Sequence, residues 1–290
     1  MKCSLCPRNC QADREKGETG FCGCTDDIII ARSALHMYEE PCICGKNGSG
    51  TIFFSGCNLR CVFCQNYEIS HNLKGRIVSQ EELLEIMLKL QNEGAENINL
   101  VTPTHFADQI ASVLKSIKPQ LHIPVVYNCG GYESVATLAK LRGLIDIYMP
   151  DFKYMNDDIA MKYSSAPHYA KTASEAVIEM FKQTGAVRYD KNGKLLSGLL
   201  VRHLVLPSCR KDSIAILHHI AEILPVKDIR ISIMSQYTPD FLSDDCEYAN
   251  LRRRITNFEY RSVCDCASLL NFEGYTQERQ SASSIYTPEF

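Results

Sequence analysis

The chain has 290 residues, 45% of them hydrophobic, and a formal net charge of −3, enough apolar material for one large domain with an appendage. No run of about 18 apolar residues predicts a membrane span, no long basic tract offers a nucleic-acid footprint, and Met1-Lys2-Cys3 opens no signal-peptide pattern. The expectation is a cytoplasmic protein with neither membrane nor nucleic acid as partner, whose fifteen cysteines serve metal rather than disulfides.

Residues 1–48 form a cysteine-rich, glycine-punctuated head: Cys3-x-x-Cys6-Pro7-Arg8-Asn9-Cys10, then Gly20-Phe21-Cys22-Gly23-Cys24, then Cys42 and Cys44. With little periodic apolar sequence, so short a segment needs another source of folding energy, and a tetrathiolate metal site supplies it. Cys3, Cys6, Cys10 and Cys22 are the candidate ligands, and their spacing fits either a zinc ion or a second iron–sulfur cluster. Cys24, Cys42 and Cys44 read as packing.

From residue 49 to about 240 short β-rich runs alternate with amphipathic helical patterns, the mark of βα units and a parallel sheet. Candidate strands are 51–54, 98–101, 123–127, 144–148, 199–206 and 229–234. Ser79-x-x-Glu82 reads as a capping box, and Phe106, Ile110, Val113, Leu114 and Ile117 make a helical stripe stopped by Pro119. Tyr189 to Lys194 reads as a hairpin turn. Residues 241–290 read as a helical extension: the triplet Arg252-Arg253-Arg254 as a solvated helix face or a clamp on a carboxylate, a helix over 257–272 in which Cys264 and Cys266 pack, and a polar tail, 284–290, that is either docked or frayed.

Just after the first strand and the turn Ser55-Gly56 stands Cys57-Asn58-Leu59-Arg60-Cys61-Val62-Phe63-Cys64. Three thiolates in one short loop suit a cubane 4Fe–4S cluster with one iron left open, whereas a four-cysteine zinc site shows two separated pairs. In parallel α/β architectures ligands sit at the carboxyl ends of strands. The residues that follow the strands are therefore the other candidates: Thr102-Pro103-Thr104-His105, Asn128-Cys129-Gly130-Gly131, Asp151-Phe152-Lys153, Arg202-His203 and Gln236-Tyr237. Arg202, a cation inside an apolar strand, calls for a carboxylate.

The loop Gly56 to Asn66 resembles the signature of radical S-adenosylmethionine (SAM) enzymes, CxxxCxΦC with Φ aromatic, and Phe63 fills the Φ position. With the cysteine-rich head and the strand-end segments, the chain resembles the branch related to pyruvate formate-lyase activating enzyme. That resemblance implies an α/β fold, a partial (β/α)6 TIM-like barrel over residues 49–240 with an N-terminal cysteine-rich metal-binding segment. It implies an oxidoreductase whose Cys57, Cys61 and Cys64 hold the 4Fe–4S cluster, and whose open iron binds SAM for reductive cleavage to a 5'-deoxyadenosyl radical. Phe63, Thr102, Asn128, Cys129, Asp151, Lys153 and Arg202 are the implied cofactor-binding residues: Lys153 for the SAM carboxylate, Asp151 for a monovalent cation beside it, Asn128 and Cys129 for the nucleoside. The Gly-Gly-Glu motif common in the family is missing, and Thr102 with Thr104 stands in its place; Gln236 and Tyr237 stand where activases commonly show a histidine. The implied partners are a glycyl radical enzyme, whose backbone glycine would lose a hydrogen atom under anaerobic conditions, and a flavodoxin- or ferredoxin-like electron donor. The alternative is a radical SAM enzyme acting on a peptide or small molecule with an auxiliary cluster in the head, and a non-catalytic iron–sulfur or zinc protein ranks below both.

Overall fold

The computed structural model describes residues 2–242 and 246–277. Its strands are β1 (Ile28–His36), β2 (Ser49–Phe54), β3 (Arg76–Val78), β4 (Ile98–Val101), β5 (Val125–Cys129), β6 (Ile147–Pro150), β7 (Arg188–Tyr189), β8 (Leu195–Leu204), β9 (Arg230–Met234) and β10 (Gly274–Thr276). They form one sheet in the order β10-β9-β8-β6-β5-β4-β2-β1-β3, with β7 paired to β8 off that path. From β2 to β10 every neighbour on the path is parallel, and β1 is antiparallel to both β2 and β3.

The helices are α1 (Pro41–Cys44), α2 (Tyr67–Ser70), α3 (Gln80–Asn92), α4 (Ala107–Ile117), α5 (Val135–Lys140), α6 (Asp157–Ser164), α7 (Tyr169–Thr184), α8 (Arg210–Ile223) and α9 (Asn257–Leu269). At the start of α3 the Ser79 hydroxyl accepts from the Glu82 amide at 3.1 Å, while the Glu82 carboxylate turns to Arg76; half of the expected capping box forms. The stripe on α4 is buried as its period requires, and the helix ends at Ile117, one 3₁₀ turn carrying Pro119 after it.

Strand alternation sorts side chains between two cores. Ile98, Leu100, Tyr127, Tyr148, Leu199 and Val201 pack with the helices. Their neighbours Val126, Ile147, Met149 and Leu200 face the barrel interior, where Cys42 and Ile43 of α1 pack against them. The chain between β1 and β2 thus closes one end of the partial barrel, below the ends of the parallel strands.

The six expected parallel strands form, with two differences at the edges. The head is not separate from the barrel: Ile28-Ile29-Ile30 opens β1, and the sheet extends well into the segment taken as 1–48. A strand antiparallel to its neighbour escapes a βα pattern. The C-terminal extension is also more than helical, because the chain after α9 returns as β10 beside β9. Gly274 makes that approach feasible, since a Cβ there would stand 1.8 Å from the Ile231 carbonyl oxygen. The 284–290 tail lies outside the described residues. Among the described residues no helix is long and apolar enough to cross a membrane.

Candidate functional site

A cavity of about 220 Å³ opens at the carboxyl ends of the parallel strands, and Cys57, Cys61 and Cys64 line it together with Phe63, Lys153 and Arg202. The loop carrying the thiols leaves β2 through Gly56, whose φ of +89 and lack of a Cβ admit the Cys24 sulfur, 2.4 Å from where that atom would be. The head therefore packs directly on the loop. Arg8 fastens it further: its guanidinium donates to the Asn58 and Ser164 carbonyls at 2.7 and 2.8 Å and lies 3.7 Å from the Phe21 ring centroid. The buried Arg14 ties the head to the segment after β4 through the His105 carbonyl at 2.6 Å.

Three thiols around one cavity suit a multi-iron cluster, in which each thiolate holds a different iron. Burial, with Cys61 adding to it, pushes the Cys57 thiol up to about 12, and burial likewise pushes Cys64 up; a bound cation relieves that cost by taking the thiolate form. Each sulfur meets a donor: Leu59 N–H to Cys57 at 3.3 Å, Ser164 Oγ to Cys61 at 2.9 Å and Ser70 Oγ to Cys64 at 3.4 Å. The donor set fits a 4Fe–4S cluster.

Opposite the loop lies a charged triad. Asp151 Oδ2 accepts from Lys153 Nζ at 2.6 Å and Oδ1 from Arg202 Nε at 3.0 Å, while Arg202 Nη2 donates to Asn128 Oδ1 at 2.6 Å. Burial alone would raise Asp151, but the two cations outweigh it and hold its carboxyl below the usual range. The carboxylate expected for Arg202 is present. Both Asp151 oxygens are occupied by side-chain cations, so this geometry lends no support to a monovalent cation there.

The strand-end candidates divide. Thr102, Asn128 and Cys129 line the cavity, Thr102 with a left-handed φ of +58 and its N–H on the Asn128 carbonyl at 2.8 Å. Thr104 points elsewhere and donates to Glu133 at 2.7 Å; the role expected of it beside Thr102 is not realised. His105 is structural, its Nε2 2.7 Å from the Ser55 carbonyl and its pKa lowered to about 4 by burial. His203 faces away from the barrel interior and bonds the Phe152 carbonyl at 2.7 Å. Gln236 reaches the cavity, whereas Tyr237 packs edge-on against Phe63 with ring centroids 6.1 Å apart. Arg253 forks onto Glu259 at 2.7 and 2.8 Å, the carboxylate clamp expected of the basic triplet.

In the head, Cys3 and Cys22 are electrostatic neighbours of Cys6, and the Cys10 and Cys22 sulfurs stand 3.0 and 3.5 Å from the Cβ position of Gly20. The four predicted thiols gather there, yet among the described residues no three His, Cys, Asp or Glu side chains converge on one point that would hold an ion.

Sequence reasoning missed Glu39, Glu40 and Gln277, all of which line the cavity. Glu39 accepts from Asn99 Nδ2 at 2.8 Å and lies 3.8 Å from Arg202, and burial raises both glutamates. The only local signal was a pair of acids before Pro41 in a segment that otherwise read as cysteine scaffold.

Residues 51–188 match the Radical SAM superfamily. An uncharacterized protein of Methanocaldococcus jannaschii, MJ0674, is 28% identical over 284 residues, 93% of this chain and 75% of that protein. Among solved structures, Streptococcus suis SuiB bound to precursor peptide SuiA aligns with a TM-score of 0.54 at 13% identity over 77% of this chain and 46% of SuiB, so the chain spans about half of SuiB's length. A spore photoproduct lyase variant gives a TM-score of 0.54 at 9% identity, over 77% of this chain and 74% of the lyase. At such identities the likeness is one of fold. Residues 51–188 of this chain thus match the Radical SAM superfamily model, and the chain forms a partial barrel whose fold those neighbours share.

Proposed function

We propose that Cys57, Cys61 and Cys64 hold the 4Fe–4S cluster and that SAM lies in the cavity between this loop and the Asp151–Lys153–Arg202 triad. The observation that carries this reading is that the three thiols and Lys153 line one cavity at the strand ends. When bound, the cluster with SAM supplies reductive cleavage of the sulfonium to a 5'-deoxyadenosyl radical. The chain's own part is placement. Lys153 offers a point charge to the cofactor carboxylate while Asp151 fixes its ammonium; Asn128, held by Arg202, and Cys129 face the nucleoside; Thr102 supplies an acceptor for the amino group; Phe63 walls the cluster. The surrounding barrel keeps water from the reacting centre.

The radical's target, in this proposal, is a backbone glycine of a partner enzyme, with the electron coming from a flavodoxin- or ferredoxin-like donor. The test is anaerobic electron paramagnetic resonance of reduced, reconstituted protein with SAM and an extract of source cells depleted of this protein. A SAM-dependent glycyl doublet supports the activase reading. Accumulation of 5'-deoxyadenosine without the doublet overturns that reading and favours a second one, modification of a peptide or small molecule; the neighbour SuiB is bound to a precursor peptide. For the head, Cys3, Cys6, Cys10 and Cys22 are proposed to bind zinc or an auxiliary cluster.

A further inference from the structure

Among the hydrogen bonds onto the thiols, the one from Ser164 to Cys61 differs in kind. The donor to Cys57 is a backbone amide at 3.3 Å, and the donor to Cys64, Ser70, stands 3.4 Å away with His71 Nδ1 also within 2.8 Å. Ser164 Oγ is 2.9 Å from Cys61 Sγ and 2.6 Å from the Tyr154 hydroxyl. Ser164 and Tyr154 are 1% and 0% exposed, so no bulk water competes for either group. A serine hydroxyl has one proton. If it goes to the sulfur, the tyrosine must donate to the serine, which gives the order Tyr154 to Ser164 to Cys61, with the Tyr154 hydroxyl itself also beside the Cys61 sulfur.

The backbone aims this chain. Ser164 is the last residue of α6, whose end is fastened to the thiol loop by Val62 N–H on the Tyr163 carbonyl at 2.9 Å and to the head by Arg8 on the Ser164 carbonyl at 2.8 Å. Neighbouring Ser165 takes a left-handed φ of +48 to leave the helix at that point.

We infer that Ser164, oriented by Tyr154, is a positioning residue whose hydrogen bond to Cys61 raises the reduction potential of the cluster held by Cys57, Cys61 and Cys64. The inference rests on the cluster reading given above. An added electron increases charge on the ligating sulfurs; a donor aimed at one of them binds the reduced form more strongly and favours reduction. The electron comes from an external one-electron reductant and no bond is made or broken.

The experiment uses the full chain with reconstituted cluster, poised at successive potentials with dithionite and mediators and followed by electron paramagnetic resonance, with iron counted in each sample. Ser164→Ala should keep its iron and become harder to reduce. The equilibrium constant should fall severalfold and up to about tenfold, which for one electron is about 59 mV. Ser164→Thr, retaining the hydroxyl, should return close to the parent, and Tyr154→Phe should shift the same way by less. Parental iron with a parental midpoint in Ser164→Ala overturns the inference. Where Ser164→Ala does not hold iron, Tyr154→Phe decides: a lowered midpoint supports the donor chain and an unchanged one overturns it. A parent protein with no iron-dependent signal overturns instead the cluster reading itself.

Discussion

Replacing Asp151 by asparagine tests whether the triad is an electrostatic unit or three solvent-screened charges. Side-chain exposure is 14% for Asp151, 16% for Lys153 and 17% for Arg202, so screening by water is slight. Asp151→Asn leaves two cations together in the barrel with no carboxylate directly between them. Removing one member of a buried ion pair costs about 3–5 kcal/mol, and at about 2–4 °C per kcal/mol for a chain somewhat shorter than this one the melting temperature should fall on the order of 10 °C. Lys153→Met should cost less, because Asp151 keeps Arg202 at 3.0 Å. The pH dependence follows from the lowered Asp151 pKa. Its contribution is complete above the unfolded value of ~3.9 and is lost as pH falls through the folded value. Differential scanning calorimetry of both variants from pH 3 to 8 is the assay. The reasoning fails if Asp151→Asn melts within ~2 °C of the parent at pH 7, or if Lys153→Met is equally damaging.

Cys61→Ala should abolish SAM cleavage, because a cluster short of one thiolate does not stay site-differentiated; parental yields of 5'-deoxyadenosine by chromatography would contradict the cluster assignment. Lys153→Ala should retain iron and weaken SAM binding roughly tenfold, the scale of one charge-assisted hydrogen bond, and an unchanged affinity by equilibrium dialysis would remove Lys153 from the site. Glu133 is raised to about 7 by burial, against the Thr104 and Tyr127 hydroxyls; its contribution to stability is full below the unfolded value of ~4.3 and is lost as pH rises through about 7. Glu133→Gln should therefore gain on the parent above neutral pH and lose that advantage in acid, measured by urea unfolding at pH 4.5 and 8. A Cys57, Cys61, Cys64 triple-alanine variant should still bind metal at the head, read by elemental analysis: zinc for a structural site, iron for a second cluster, and a metal-free protein against both.

What could be read in advance follows from how local each signal is. The thiol loop is eight consecutive residues, and the parallel strands β2, β4, β5, β6, β8 and β9 carry apolar runs between helices, so both were legible before any contact was known. Arg202 was legible for a second reason: a cation inside an apolar strand requires a carboxylate, and Asp151 supplies it while also holding Lys153. Thr104 went wrong because its actual acceptor, Glu133, lies on another loop 29 residues away, which no local pattern announces. β10 was illegible because a three-residue strand has too little pattern to announce itself, and only its pairing with β9 defines it.

The floor of the cavity shows the same limit in its strongest form. Glu39 and Glu40 sit three and two residues before Cys42 in a segment whose composition speaks of metal, and nothing within ten residues of them indicates a barrel. Yet Cys42 and Ile43 pack on Val126, Ile147, Met149 and Leu200, and that packing delivers the two carboxyl groups beneath Arg202. The cavity then holds three acids, Glu39, Glu40 and Asp151, against two cations, Lys153 and Arg202. Burial raises both glutamates, and a positively charged group entering above them would favour their ionised forms. The proposed cofactor brings a sulfonium, a charge of the sign this floor lacks. The plug thus couples two tasks that the sequence keeps apart: it closes the barrel with apolar side chains, and it sets the charge of the chamber that those side chains close.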